Sequence, residues 1–148
     1  MADFDAIFAQ ERTPMVRLAF LMLGSESLAE EVVHDGFVAL LERWGRIDNP
    51  GAYLRRCVVN GCLGLKRRAR HVALQPEVEE ATELGVDHMV DVLQALPPQR
   101  RAMVVLRYYA DMSQEAIAET LRLPVGTVKS GLHRALGELK EALSDARG

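Results

Sequence analysis

The sequence has few aromatic residues and no alternating strand pattern. Phenylalanine, tryptophan and tyrosine make up 5% of its 148 residues, whereas apolar residues make up 49%. Sheets draw on aromatic and β-branched residues, while helical cores are built from leucine, valine and alanine, so this balance predicts an all-α protein. The length allows one domain of ordinary size or two small ones.

A membrane segment and a secretion signal are also missing. The chain contains no run of about 18 consecutive apolar residues, the length that a membrane helix needs. Its first residues, MADFDAIF, are acidic where a signal peptide is basic. We therefore expect no membrane partner and a cytoplasmic location.

Catalytic and metal-binding constellations are absent as well. Cys57 and Cys62 stand five positions apart, which fits neither a CxxC redox pair nor half of a zinc site, and the four histidines are scattered. No P-loop, Ser/His/Asp set or pair of carboxylates stands out. We therefore predict no metal, no cofactor and no enzymatic activity, with the two cysteines as buried thiols on a helix.

Charge is present but unevenly distributed, although the net charge is only −3. Residues 1–35 carry −5, residues 43–71 carry +7 and residues 72–91 carry −6. Such alternation indicates one surface for nucleic acid and another for a basic partner, or an acidic segment that screens the basic one. The net charge argues against a free-standing general DNA-binding protein.

The last third of the chain has the pattern of a helix-turn-helix. Ser113 is a suitable N-cap for a short helix, and Pro124 ends that helix by about position 121 and forces a turn. A second helix begins at Val125, with apolar residues every three or four positions. Its opposite face carries five polar residues near the N-terminus: Thr127, Lys129, Ser130, His133 and Arg134. A helix that enters the major groove needs this layout; the alternative is an ordinary helical hairpin with a solvated polar face.

Further helices are predicted upstream. Two short helices precede Gly24, the second beginning at Pro14, and an amphipathic helix spans residues 28–44. The helix after a loop at 45–51 ends in the basic run 66–70, which exceeds what a helix dipole favours and indicates nucleic-acid contact over a solvated helix end. Residues 75–85 have the composition of a linker, and short helices on either side of Pro97 and Pro98 lead to the helix-turn-helix.

The order of these segments resembles a known family. Residues 96–140, LPPQRRAMVVLRYYADMSQEAIAETLRLPVGTVKSGLHRALGELK, resemble region 4 of the extracytoplasmic-function (ECF) sigma factors of the sigma-70 family. Residues 29–44, AEEVVHDGFVALLERW, resemble region 2.2, and residues 49–70, NPGAYLRRCVVNGCLGLKRRAR, resemble regions 2.3 and 2.4. The resemblance implies two small helical domains, region 2 at 1–71 and region 4 at 86–148, joined by an acidic linker at 72–85.

The resemblance also implies a function and the residues that perform it. Such a chain would bind core RNA polymerase and direct it to promoters through their −10 and −35 elements. Docking on the β′ clamp helices would fall to Glu30, Glu31, Asp35, Phe37 and Leu40, although Phe37 and Leu40 fit a core role equally well. The melted −10 element would be held by Asp48, Asn49, Arg55, Arg56, Asn60, Lys66, Arg67 and Arg68. The −35 element would be read by Thr127, Lys129, Ser130, His133 and Arg134. Promoter DNA and the polymerase β flap are further implied partners, and the sequence leaves open whether an anti-sigma factor binds.

Three departures from the family pattern bear on these roles. Tyr53 replaces the usual tryptophan and Arg55 a common tyrosine, so the −10 specificity cannot be copied from relatives. Arg122 replaces the usual glycine of the turn, which costs about 1 kcal/mol if that position has positive φ. Gly131 replaces the usual arginine, which we expect to remove a phosphate contact and to weaken the recognition helix by roughly 0.5–1 kcal/mol.

Three other classes of protein share part of these features. A dimeric or response-regulator-like helix-turn-helix repressor would bind duplex DNA alone with half-site symmetry, and would need neither the basic helix nor the acidic one. An enzyme with a DNA-binding tail lacks a catalytic constellation in residues 1–75. A helical adaptor that binds only protein leaves the +7 block unexplained.

Overall fold

The computed structural model describes residues 2–72 and 86–147, with side chains at 3–65 and 88–144. Nearly all of this part of the chain is helical. The helices are α1 (Ala2–Leu23), α2 (Glu26–Glu42), α3 (Pro50–Val72), α4 (Val86–Gln94), α5 (Pro98–Val104), α6 (Gln114–Leu121) and α7 (Val125–Arg147). No strand occurs within the described ranges, which confirms the all-α class. None of these helices combines the length and the apolar character that crossing a bilayer requires.

The chain divides into two compact units, Met1–Glu77 and Val78–Gly148. The predicted acidic linker lies outside the described residues, except for the backbone of Val72 at the end of α3. The linker and the domain limits at 71 and 86 therefore stay predictions.

The first unit packs α1, α2 and α3 against one another. Its fully buried side chains include Leu18 of α1, Leu40 of α2 and Leu54 of α3. Helices α2 and α3 approach closely because a glycine on each lacks a side chain. A Cβ at Gly36 would lie 3.1 Å from Val58 Cγ2, and a Cβ at Gly61 would lie 3.0 Å from Val32 Cγ1.

Helix α1 is continuous, so the prediction of two short helices divided at Pro14 is wrong. A proline inside a helix removes a hydrogen bond and crowds the preceding turn, at a cost of about 3 kcal/mol. Pro14 is exposed, whereas Leu18 and Ala19 beyond it are buried and Phe4 before it packs on the aromatic rings of the core. Packing on both sides of the proline therefore keeps one helix.

Phe37 and Leu40, predicted as polymerase contacts, are core residues of the first unit. Phe37 is 4% exposed, and its ring centroid lies 6.3 Å from that of Phe4 and 4.8 Å from that of Phe8. Leu40 is fully buried. Helix α2 turns its apolar stripe inward, and neither side chain can reach a partner from there, so we correct the docking role given to these two residues.

The second unit packs α4, α5 and α6 against α7, which confirms the four helices predicted for this half. Helix α5 continues into a π-helical turn, Val105–Tyr109, closed by a 3.1 Å bond from Ala110 N to Val105 O. The sequence did not predict this turn. The apolar face of α7 is buried as far as Ala135, whereas Leu136 beyond it is 42% exposed.

Candidate functional site

The helix-turn-helix is present, and its helices begin and end as predicted. Ser113 caps α6, because its Oγ accepts a hydrogen bond from Ala116 N at 3.1 Å. Helix α6 ends at Leu121, and α7 begins at Val125. The first turn of α7 is joined to Pro124, whose carbonyl accepts from the backbone amides three and four residues on, at 3.0 and 3.2 Å.

The turn between these helices contains a left-handed residue. Arg122 has φ 58° and ψ 49°, and it ends α6. Leu123 N donates to Ala118 O at 2.9 Å, the bond that typifies a Schellman ending, where glycine is the usual left-handed residue. The positive φ on which the expected cost of about 1 kcal/mol depends is thus present.

All five predicted −35 residues are exposed on α7, in the half that follows the turn. Behind them Val128 and Ala135 are fully buried and Leu132 is 4% exposed. Ser130 Oγ donates back to the carbonyls of Gly126 and Thr127, at 3.0 and 3.2 Å. Because a hydroxyl has one proton, Ser130 keeps only acceptor capacity for an outside partner.

Gly131 faces the interior of the second unit and not a phosphate. The residue is buried, and a Cβ built on it would overlap Sδ of Met103, which is itself 2% exposed. The expectation of a lost phosphate contact at this position is therefore wrong. The glycine lets α7 approach α5.

Arginine side chains hold the second unit together from inside. Arg101 is 4% exposed, and it donates from Nε to Leu93 O at 2.7 Å and from NH2 to the carbonyls of Gln94 and Leu96 at 3.0 and 2.8 Å. Burial lowers the pKa of Arg101 to about 10, so the guanidinium remains charged at neutral pH. These bonds satisfy carbonyls at the end of α4 that have no partner within the helix.

Sequence reasoning missed this role of Arg101. The available signal was its place shortly after a Pro-Pro break, next to the free carbonyls of the preceding helix. Arg107 acts similarly, since its NH1 donates to Met112 O at 3.0 Å, directly before the cap of α6.

The predicted −10 residues lie at the start of α3 and along it. Asp48 and Asn49 are exposed, and Asn49 Oδ1 accepts from Ala52 N at 3.1 Å, so Asn49 caps the helix. Asn60 is exposed, whereas Arg55 and Arg56 are half-buried. The backbone of α3 runs through positions 66–68, but the side chains of three further predicted residues lie outside the described ones: Lys66, Arg67 and Arg68.

A groove of about 450 Å³ lies between α2 and α3. Glu31 and Asp35 line it from α2, and Cys57 and Asn60 line it from α3. Two predicted polymerase contacts and one predicted −10 contact therefore share one surface of the first unit. Glu30 is exposed on α2 but does not line the groove.

Tyr53, at the position where the family usually has tryptophan, is half-buried in the first turn of α3. The guanidinium carbon of Arg43 lies 6.0 Å from its ring centroid. Burial raises the pKa of Tyr53 above its ordinary value, the Cys57 thiol raises it further, and Arg43 opposes the change. Tyr53 is therefore a neutral hydroxyl at physiological pH.

Neither cysteine forms a disulfide; Cys62 is buried, as predicted, and Cys57 is half-buried. Within the described side chains, no three histidine, cysteine, aspartate or glutamate residues gather as metal ligands.

Comparison with known proteins identifies the family. Residues 7–72 match the model "Sigma-70 region 2", and residues 89–139 match "Sigma-70, region 4". The RNA polymerase sigma-E factor of Streptomyces coelicolor is 31% identical over 152 residues, which cover 95% of this chain and 86% of that protein. The ECF RNA polymerase sigma factor SigM of Mycobacterium tuberculosis is 30% identical, over 95% of this chain and 76% of that protein. The chain belongs to the ECF group of the sigma-70 family.

Solved structures show the same fold as this ECF sigma factor. The sigma factor RpoE of Bartonella quintana, in complex with the anti-sigma factor NepR, matches with a TM-score of 0.84 at 20% identity, over 97% of this chain and 98% of that one. CnrH, in complex with the cytosolic domain of CnrY, matches with a TM-score of 0.73 at 26% identity, over 98% and 89%. As a sigma factor the chain directs promoter-specific initiation of transcription.

Proposed function

We propose that this ECF sigma factor docks on core RNA polymerase through α2, holds the melted −10 element along α3 and reads the −35 element with α7. It acts by binding alone, in the cytoplasm, with no catalytic step. The observation that carries the proposal is the division of α7: its N-terminal half exposes five polar residues on one side and buries Val128, Leu132 and Ala135 on the other. A recognition helix packed from behind, with its polar N-terminal face free, suits the major groove.

For polymerase docking we propose the exposed side of α2. Glu31, Asp35 and Val38 follow one another at steps of four and three, so they share a face of the helix. Both carboxylates are exposed, and Val38 is 43% exposed. Charged residues beside an apolar one suit a partner helix that is basic and partly apolar. Glu30 lies exposed on another flank of the same helix and borders this surface.

For the −10 element we propose Asn60, with the cations of α3 at the phosphates. Extruding a base costs roughly a few kcal/mol, so a site that binds only the extruded base stabilises melted DNA selectively. Because Oδ1 of Asn49 is engaged in the helix cap, its NH2 group is the part left for a base. Asp48 stands beside it as an acceptor, exposed to solvent.

Regulation by an anti-sigma factor is a second element of the proposal. The similar structure of RpoE was determined with the anti-sigma factor NepR bound. We extend that kind of partner to this chain. Binding of a purified anti-sigma protein that blocks initiation by this chain, and is competed by core polymerase, tests it.

Run-off transcription with purified core polymerase on a genomic promoter library tests the main proposal. We expect the wild-type chain to select promoters, and Arg134→Ala to relax the preference at one or two adjacent −35 base pairs. An arginine that binds guanine with both fork nitrogens contributes ~1–3 kcal/mol of discrimination at one base pair. Lys140→Ala removes an exposed cation further along the same helix and is the matched control.

The outcomes of this experiment show which part of the proposal fails. A wild-type chain that selects no promoter contradicts the proposed function. If Arg134→Ala loses activity uniformly across a saturated −35 library, Arg134 binds a phosphate and the reading role moves to Lys129, Ser130 or His133. If Arg134→Ala behaves like Lys140→Ala and wild type, α7 is not the recognition helix.

A further inference from the structure

Arg122 adopts a left-handed backbone conformation that residues other than glycine rarely adopt. Its φ of 58° places the side chain Cβ against the following carbonyl, and for this reason glycine is the usual residue at this kind of helix end. Only one other non-glycine residue of the described ranges has positive φ, namely Asp111. Aspartate tolerates this region because its short polar side chain can bond the local backbone, whereas arginine gains nothing comparable. A strained residue that the fold does not require indicates a task for its side chain.

The guanidinium of Arg122 is available for such a task. The residue is exposed, and its side chain has no hydrogen-bond or ion-pair partner among the described residues. The three preceding arginines of the second unit are all engaged within it: Arg100 with Glu138, and Arg101 and Arg107 with backbone carbonyls. Arg122 thus differs from them in having no side-chain partner within the part of the unit that the structure describes.

The position of Arg122 favours contact with DNA. It stands three residues before Val125, the first residue of α7, and it is the only lysine or arginine between Ser113 and Lys129. The N-terminal end of a recognition helix enters the major groove while the preceding helix crosses the backbone, and the turn with Arg122 joins these two helices. A planar guanidinium binds a phosphate there with two parallel hydrogen bonds.

We propose that Arg122 is a phosphate-binding residue that anchors the turn of the helix-turn-helix on the backbone at the −35 element. The inference rests on the proposed function, in which α7 reads that element. Arg122 adds affinity and fixes the register of α7 without reading a base. It supplies a cation at the start of α7, where Pro124, Val125 and Gly126 bring no charge.

The proposal requires stability and DNA binding to change in opposite directions. In the full chain, Arg122→Gly removes the left-handed strain, and we expect the Tm of the second unit to rise by about 4–8 °C. Arg122→Ala keeps a Cβ, so its Tm stays near that of wild type. A loss of DNA binding in a more stable variant cannot arise from unfolding.

DNA binding is measured with holoenzyme on a duplex promoter that the wild-type holoenzyme selects from genomic fragments, at 50–200 mM salt. Arg122→Gly and Arg122→Ala weaken binding alike on every −35 sequence, and each lowers the slope of log K against log salt by about 0.9. Raising the salt from 50 to 200 mM then weakens the binding of these variants about threefold less than it weakens the binding of wild type. Arg122→Lys keeps the cation and retains most of the slope.

Failure of the inference is distinguishable from failure of the proposed function. If wild-type holoenzyme selects no promoter, or if Arg134→Ala changes nothing, the proposed function fails. If wild type is active and Arg134→Ala is defective, an unchanged salt slope in Arg122→Gly overturns the phosphate contact. A loss confined to one −35 base pair also overturns it, because the residue then reads a base.

Discussion

Arg101 shows how one side chain can hold a small helical unit together. Its guanidinium is buried and binds the carbonyls of Leu93, Gln94 and Leu96, which close the end of α4. When a buried polar group loses its hydrogen-bond partner, its desolvation is no longer compensated, and the free energy of unfolding falls. The stability of the second unit therefore depends on this side chain more than on any exposed ion pair.

We predict that Arg101→Met lowers the free energy of unfolding by about 3–5 kcal/mol, because the carbonyls of Gln94 and Leu96 lose this donor and that of Leu93 keeps only the bond from Leu96 N. Arg100→Met is the matched control: Arg100 forms a 2.9 Å ion pair with the half-exposed Glu138, worth about 0–1 kcal/mol. Urea unfolding monitored by circular dichroism measures both. Equal losses in the two variants would contradict the assignment.

The lowered pKa of Arg101 sets the sign of its pH dependence. Folding disfavours the charged form, because burial brings the pKa of Arg101 down from its ordinary value to about 10. The stability contributed by this group therefore rises only as the pH passes about 10, and Arg101 gives no pH dependence near neutrality. The loss in Arg101→Met should be the same at pH 6 and pH 8.

A second prediction at the residue scale compares Gly131 with Gly137, another glycine of α7. Gly137 lies six residues further along α7, and a Cβ there meets nothing within 4 Å. Gly137→Ala should stabilise the unit by about 0.5–1 kcal/mol through helix propensity. Gly131→Ala gains the same term but must displace Met103, so we expect it to be less stable than Gly137→Ala by roughly 1–3 kcal/mol. Denaturant midpoints compare the two, and identical midpoints would show that Met103 gives way freely.

At the residue scale, the sequence predicts interactions between residues that are close along the chain and misses interactions between residues that are far apart along it. Ser113 was recognised as a cap because the amide that it binds is three residues away. Gly131 was misinterpreted because the side chain that requires a glycine, Met103, lies far along the chain. Phe37 is similar, since only its contact with Phe4 and Phe8 distinguishes core from docking surface.

At the scale of elements, the crossing of α2 and α3 fixes the shape of the first unit. The groove that carries Asp35 and Asn60 lies along this crossing. Its width depends on how closely the helices approach at Gly36 and Gly61.

We predict that Gly61→Ala is less stable than Gly64→Ala by about 1–2 kcal/mol. Both substitutions are in α3 and gain the same helix propensity, but only the Cβ at 61 meets Val32, at 3.0 Å, whereas a Cβ at 64 meets nothing within 4 Å. Thermal unfolding of the full chain gives the difference. Gly61→Ala at or above the stability of Gly64→Ala would mean that α2 and α3 separate without cost.

Helices begin and end where local sequence signals predict, except where tertiary packing favours a continuous helix. Pro124 ended one helix and allowed another to begin at Val125, as predicted, and no residue from 121 to 127 is buried. Pro14 did not end α1, because residues on both sides of it are held in the same core. The rule for proline is the same in both places, and tertiary contacts decide the outcome.

For the whole molecule, the sequence predicted the helical class and the family, because charge blocks and the helix-turn-helix pattern are properties of the printed residues. The assignment of polymerase docking and −10 binding to the first unit, and of −35 recognition to the second, remains a prediction. Residues 73–85 connect α3 to α4. At ~3.3–3.6 Å per residue this length of chain reaches at most about 45–50 Å.

We predict that deleting a few residues within 75–85 changes run-off activity by less than about twofold, because the polymerase surface, rather than the linker, sets the spacing of the two DNA readers. A variant with the same residues replaced by Gly and Ser, at unchanged length, is the control. Abolished activity with intact core binding, in the deletion alone, would show that the linker length has a role of its own.

The π-helical turn at Val105–Tyr109 is the way in which α5 ends. Ala110 N donates to Val105 O at 3.1 Å, and Met112 N donates to Leu106 O at 3.0 Å, while Asp111 between them has φ 55°. The last carbonyls of the helix are therefore bonded by the very residues that leave it, instead of by water or by a side chain. A helix end that is tied to the departing chain in this way fixes the direction in which the chain leaves for Ser113 and the helix-turn-helix.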